Sequence, residues 1–351
     1  MTQPSSFLRN RRPILRAALA ASAFLMPGVA LAELPVTPTL VGTTTQIGEV
    51  TVRSVAFNNN GITMSGNVYL PRAFDADRRY PAIVVVHPGG GVKEQTAGLY
   101  ALKMAEQGFV TLAFDAAHQG ASGGLPRYLD DPAKRVTDFY SAVDYLTTLS
   151  FVDGARIGAL GVCAGSGITV KASMTDRRIR ALAIVSGIDS GAAARKGWEG
   201  NSPASAMIET LEAVGKQRSA EASGATAVYV NYVPRVGDTS QPRDLQEAAD
   251  YYLTPRGHYP TSTNQMLMTS ISHGMAFRGF DGAESVLTQP LLMIAGSEAG
   301  SLWHSQELNA KAASRSKELF VIPDATHMDL YDGPGAETAA AKLAPFFKSN
   351  L

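Results

Sequence analysis

Cys163 is the only cysteine among 351 residues, and it stands in Gly161-Val162-Cys163-Ala164-Gly165, just after the apolar run Arg156–Leu160. A nucleophile spaced in this way between two glycines is the sequence form of a nucleophile elbow. In that sharp strand-to-helix turn, side chains at the flanking positions would clash with neighbouring backbone. A thiol so placed also gains from the helix that follows, whose first N–H groups and dipole favour the thiolate. The bland alternative is a buried structural cysteine, since free cysteine is among the most buried residue types.

Three other stretches give the thiol a context. Tyr80-Pro81-Ala82-Ile83-Val84-Val85-Val86-His87-Pro88-Gly89-Gly90-Gly91 is a β-branched run ending in glycines, the pattern of a buried parallel strand entering a tight loop. A phosphate-binding loop is the weaker competing reading, because neither G-x-x-x-x-G-K-[ST] nor G-x-G-x-x-G follows the strand. Phe109–Asp115 is a second buried strand leading into a small-residue turn. Asp115 is expected to hydrogen-bond that turn's backbone, and His118 to shape the loop or touch a substrate. Glu318–Ile322 is a third strand, and after a short turn it delivers His327 near the end of the chain.

Taken together, these residues resemble the α/β-hydrolase superfamily, and specifically its dienelactone-hydrolase-like branch, in which cysteine replaces serine. The chain is similar also to fungal polyketide transferases that share His-Pro-Gly-Gly and a Gly-x-Cys elbow. The resemblance spans residues 50 to 347. It implies a doubly wound, mostly parallel sheet and a Cys163 nucleophile with His327 as its base. It also implies an oxyanion hole formed by backbone N–H groups in the Gly89–Gly90 stretch and at Ala164. The implied reaction is attack on a small ester, thioester or lactone through an acyl-cysteine, released to water or to another nucleophile. A non-catalytic thiol-bearing binding or sensor protein on the same fold is the other reading.

The third triad member is where this chain departs from the family. Its acid usually follows the seventh strand as an aspartate, but here Leu291–Gly296 leads into Ser297-Glu298-Ala299-Gly300-Ser301. Glu298 is the carboxylate available in that turn. Asp189, just past Ala181–Ser186, is the rival, and a thiolate–imidazolium dyad without an acid is the third option.

Composition agrees with an enzyme acting on small molecules. Lys+Arg and Asp+Glu stand at 31 each, so no charge field points to nucleic acid or acidic partners. A lone cysteine excludes an intramolecular disulfide, and no C-x-x-C or H-E-x-x-H spacing offers a metal site, so no cofactor is expected. Residues 1–32 read as a signal peptide. Arg9, Arg11, Arg12 and Arg16 form a basic start, Ala17–Leu31 is mostly apolar, and Ala30-Leu31-Ala32 is a cleavage site before Glu33. The apolar run is broken by Pro27-Gly28 and is short for a membrane span, so a periplasmic or secreted protein is expected, by the Sec or the Tat route.

Residues 33–351 then form one α/β domain. Strands are expected over Ile47–Phe57 and Ile62–Leu70, turning at Asn58–Gly61. Helices are expected over Glu94–Gln107, Pro132–Leu149, Ala164–Met174, Ser305–Ser314 and Ala336–Phe347. The stretch from about 190 to 288 is too long for a connection and should carry its own helices, with Asp244–Leu253 and Thr261–Ser272 as two of them. The resemblance makes it a cap over the pocket, with Trp198, Tyr229, Tyr232, Tyr251, Tyr252 and Met266 as candidate walls.

Overall fold

A computed structural model describes residues 42–351, and the leader expected over 1–32 lies outside them. The chain opens with strands β1 (Thr44–Ile47), β2 (Val50–Asn59) and β3 (Ile62–Leu70), the last two joined by a turn in which Asn60 and Gly61 take positive φ. An alternating sequence follows: β4 (Tyr80–Val86), α1 (Thr96–Glu106), β5 (Val110–Phe114), α2 (Pro132–Thr148), β6 (Val152–Val162), α3 (Ala164–Thr175) and β7 (Ile179–Val185). The insertion holds α4 (Ser190–Lys196), α5 (Ala204–Ala222), β8 (Tyr229–Val230), α6 (Arg243–Leu253), β9 (Met266–Leu267), α7 (Ser270–Ala276) and α8 (Ala283–Val286). The chain then returns to the sheet with β10 (Leu291–Gly296), α9 (Leu302–Lys311), β11 (Lys317–Ile322) and α10 (Gly333–Asn350).

Nine strands form one sheet in the order β1-β2-β3-β5-β4-β6-β7-β10-β11, antiparallel from β1 through β5 and parallel beyond. This is the α/β-hydrolase fold. Its central strands are buried on both faces, which is why they read as continuous apolar runs. In β4, Ile83 and Val85 point into one core with Tyr100 and Met104 of α1 and Leu343 and Phe347 of α10. Ala82, Val84 and Val86 point into the other, with Phe139 and Leu146 of α2 and Ile168 of α3. One slab of helices on each face therefore clamps the sheet, and the carboxyl ends of β4, β6, β7, β10 and β11 emerge along a single edge.

The insertion departs from its expectation at one segment and adds a long helix not named there. That helix, α5, is largely exposed, with Val214 alone of its residues buried. The segment expected to be helical over Thr261–Ser272 instead gives β9, paired with β8 as Tyr229↔Leu267 and Val230↔Met266, and helix begins only at Ser270.

Candidate active site

The elbow is built as its glycines require. Cys163 holds φ 52° and ψ −123°, a conformation that costs an L-residue about 1–3 kcal/mol and persists only when its surroundings enforce it. They do so through backbone bonds: its N–H donates to Val185 O at 3.0 Å, and its carbonyl accepts from Ser166 N–H at 2.9 Å and Ile188 N–H at 3.2 Å. A Cβ on Gly161 would lie 2.6 Å from Ser166 Cα, and one on Gly165 would lie 2.3 Å from Val86 O. Both glycines are thus required by close backbone approach. Val86 pairs with Gly161 in the sheet, which places the glycine loop after β4 beside the elbow after β6.

That loop is anchored from below. His87 is fully buried and held neutral, its pKa pushed well down by burial. Its Nδ1–H donates to Pro88 O at 2.6 Å, and its Nε2 accepts from Ala116 N–H at 3.0 Å. Arg135 Nη2 donates to His87 O at 2.6 Å. Asp115 does hydrogen-bond backbone, accepting Lys93 N–H and Ala121 N–H besides the Lys93 ammonium at 2.9 Å. His118 takes φ 70° and bonds Pro126 O through Nδ1, so it shapes its own turn.

The backbone N–H groups of Gly89 and Ala164 both face the Cys163 thiol, which is where an oxyanion hole must open. Gly90 has a different part. It takes φ 68°, and a Cβ there would run into the Tyr232 ring at 2.6 Å, so its bareness lets the insertion's Tyr232 close over the loop. Burial pushes the thiol's pKa up, partly offset by the Tyr331 hydroxyl and these N–H groups. The resting group is a thiol.

His327 stands after β11 and is buried, with its pKa lowered to about 4 by burial against the opposing pull of Asp244. Its Nδ1 lies 2.6 Å from Ser301 Oγ, and its Nε2 lies 3.4 Å from the Tyr331 hydroxyl. With Nδ1–H donating to Ser301, Nε2 presents its lone pair towards the elbow, the tautomer a general base needs.

Neither sequence-expected acid reaches this ring. Glu298 is exposed, and its backbone N–H bonds Ala325 O at 2.9 Å. The turn after β10 aims position 298 at solvent and buries Ser301 against the imidazole instead. Asp189 is spent on backbone: it caps α4 by accepting Gly191 and Ala192 N–H, and accepts Gly279 N–H at 3.0 Å.

The carboxylate beside the histidine is Asp244, on the first turn of α6 in the insertion. It is 3 % exposed. Its Oδ1 accepts His327 N–H at 3.2 Å, and its Oδ2 accepts Gly300 N–H and Trp198 Nε1–H, both at 2.8 Å. One side chain thus ties down the residue before Ser301, His327 itself, and Trp198, whose ring packs edge-on to the imidazole at 4.9 Å.

Cys163 and His327 open onto a cavity of about 180 Å³. Trp198, Tyr232 and Tyr252 of the insertion line it with Ile188, Leu245 and Met328. Of the other expected walls, Tyr229 is exposed, Met266 pairs in β9, and Tyr251 packs on Tyr331 at 5.2 Å. Among the described residues no cluster of three metal-ligating side chains occurs.

Comparison with known proteins agrees with this geometry. The model of the Dienelactone hydrolase family matches residues 66–213. The uncharacterized protein YcjY of Escherichia coli (strain K12) is 44% identical over 84% of this chain and 96% of its own. The crystal structure of hypothetical protein PA2218 from Pseudomonas aeruginosa matches with a TM-score of 0.82 at 35% identity, covering 89% of this chain and 98% of that one. The polyketide transferase claH of Penicillium crustosum is 22% identical over 83% of this chain and 95% of its own. The chain belongs to the dienelactone hydrolase family, and it is an enzyme of the class that acts on ester-type bonds, as hydrolase or acyltransferase.

The pH dependence follows from the histidine. With His327 acting as a base, its ring must be neutral to accept a proton, so kcat/KM should fall tenfold per pH unit below about 4 and stay level from pH 5 to 8, measured with a buffer-corrected rate profile. Stability moves in the same sense. A histidine depressed in the fold is protonated first in the unfolded chain, so stability present above pH 6.5 should decline as pH falls towards 4, by about 3 kcal/mol from His327 alone.

Proposed function

We propose that Cys163 is the nucleophile of an exported hydrolase that cleaves a small ester, thioester or lactone through an acyl-cysteine intermediate. The observation that carries this reading is the thiol itself. It is held in a strained elbow on the wall of a largely apolar cavity, with the N–H groups of Gly89 and Ala164 facing it and a neutral imidazole lining the same cavity. His327 Nε2 is the proton acceptor. The carbonyl oxygen that gains charge is held by the two N–H groups, each worth roughly 3–4 kcal/mol to such a step. Thiolates leave easily, so activated esters, thioesters and lactones collapse forward more readily than amides. Export rests on the basic, apolar and Ala-x-Ala pattern of residues 1–32.

The test is a panel of acyl esters, acyl thioesters and lactones, with mass spectrometry of the quenched enzyme. Acyl mass on the peptide containing Cys163 is expected, in a chain that begins at Glu33 when recovered from the exported fraction. Turnover without any adduct on that peptide, and undiminished in Cys163→Ser, would reject the acyl-cysteine. Acyl transfer is the second reading, favoured by the apolar walls that Trp198 and Ile188 give the cavity and by the likeness to a polyketide transferase. Ester or amide products formed when alcohols or amines are added would assign it.

A further inference from the structure

We propose that Tyr331 is a catalytic residue: its phenol stands between the Cys163 thiol and His327 Nε2 and passes the proton from one to the other. The inference deepens the acyl-cysteine reading and rests on it. It starts from an oddity of the site. The hydroxyl of Tyr331 lies 3.4 Å from Nε2, the nitrogen that faces the elbow, and Tyr331 shares the cavity wall with the Cys163 thiol, whose pKa its hydroxyl helps to hold down. Tyr331 lines the cavity with Cys163, His327 and Tyr252.

The ring is held for that task. It is 2 % exposed, with its ring 5.6 Å from that of His327. Tyr251 and Tyr252 of α6 stand edge-on to it at 5.2 and 6.3 Å. A phenol clamped by three aromatic neighbours has few orientations to lose, so its hydroxyl is preorganised. Burial and the nearby thiol push its pKa well above the ordinary value for tyrosine, so it stays protonated and acts as a conduit with no charge of its own.

The step balances without a co-reactant. The S–H bond breaks and its proton joins the Tyr331 oxygen, while the proton already on that oxygen moves to Nε2. The freed sulfur pair forms the C–S bond, and the carbonyl π pair moves to oxygen, facing Gly89 and Ala164 N–H. On collapse that pair returns, the bond to the leaving group breaks, and the leaving group takes the proton held by His327. Tyr331 ends as it began.

Alkylation of Cys163 by iodoacetamide reads this arrangement without any ester, so its outcome is independent of the substrate panel. Tyr331→Phe keeps the ring and removes only the hydroxyl. Its alkylation rate at pH 7.5 should fall on the order of tenfold, with the pH midpoint for thiolate formation moved upward, while its melting temperature stays near that of wild type. In a double-mutant cycle, Tyr331→Phe in a His327→Ala background should add little further loss, because the two groups act in series. In wild type, the solvent-isotope dependence of turnover should be curved, as two protons in flight require. Wild-type alkylation and midpoint in Tyr331→Phe, additive losses in the cycle, or a linear isotope dependence would each overturn the relay. Hydrolysis of the panel with a normal Tyr331→Phe would do so while leaving the acyl-cysteine intact.

Discussion

Cys163→Ala should lower kcat/KM by on the order of 10⁴-fold or more, and the protein should melt within a few degrees of wild type. On the proposed acyl-cysteine mechanism the whole reaction passes through one covalent step, and without the sulfur the N–H groups of Gly89 and Ala164, the imidazole and the cavity have no nucleophile to work with. The small stability effect follows from the elbow. Alanine bears the same φ of 52° and removes one sulfur atom from a site that is 8 % exposed, so strain is unchanged and little packing is lost. Cys163→Gly sharpens the point. It removes the strain as well as the thiol, and it should melt at or above the alanine variant while being equally inactive. Calorimetry and a rate measurement on the same samples check both halves. An alanine variant with more than a few per cent of wild-type turnover would move the nucleophile elsewhere. A glycine variant melting well below alanine would mean that the elbow is not strained.

The part of this site legible in the sequence is the part made by local chain geometry. Gly161 and Gly165 announce a turn because only the lack of a side chain allows Ser166 Cα and Val86 O to come so close. The central strands announce themselves because burial on both faces leaves no room for alternation, and the bounds found for β4, β5 and β10 lie within a residue or two of the expected ones. His327 was findable from its place after a strand. Asp244 was not. It precedes His327 by 83 residues, in a helix whose own sequence signals only amphipathicity, and nothing short of the tertiary fold brings it to Gly300 and His327. Ser301 stands in the turn where the resemblance places the acid, but this turn offers the imidazole a hydroxyl where a carboxylate is usual, and a lone serine carries no signal of that role in the sequence. Tyr331, four residues past His327, carried no motif, and its position matters only because the single turn Met328–Leu330 folds it back onto the elbow.

Asp244→Asn should cost far more than Glu298→Gln, the reverse of what the turn after β10 suggests when read alone. Glu298 is exposed, so its amide variant should keep activity within about twofold and stability within about 0.5 kcal/mol. Asp244 accepts three N–H groups inside the protein, from His327, Gly300 and Trp198. An asparagine there turns one accepting oxygen into a donor facing a donor, which should cost about 2–3 kcal/mol of stability. Freed of that tie, the loops bearing Ser301 and His327 shift, and a displacement of even one ångström at a catalytic group is worth roughly 10²-fold in rate. Loss of rate alone would also follow from mere loosening of the insertion. The discriminating readout is the acid limb of the pH profile. The negative charge of Asp244 holds the pKa of His327 up against burial, so its removal should move that limb below its wild-type position near pH 4 even as the plateau rate drops. Ser301→Ala supplies the comparison: it removes the acceptor at Nδ1, leaves the carboxylate, and should lower the plateau with a smaller movement of the limb. A limb that stays at its wild-type pH in Asp244→Asn would reduce Asp244 to scaffolding. A limb that moves would mean that the insertion carries the charge tuning the base, so that an element outside the sheet completes the site.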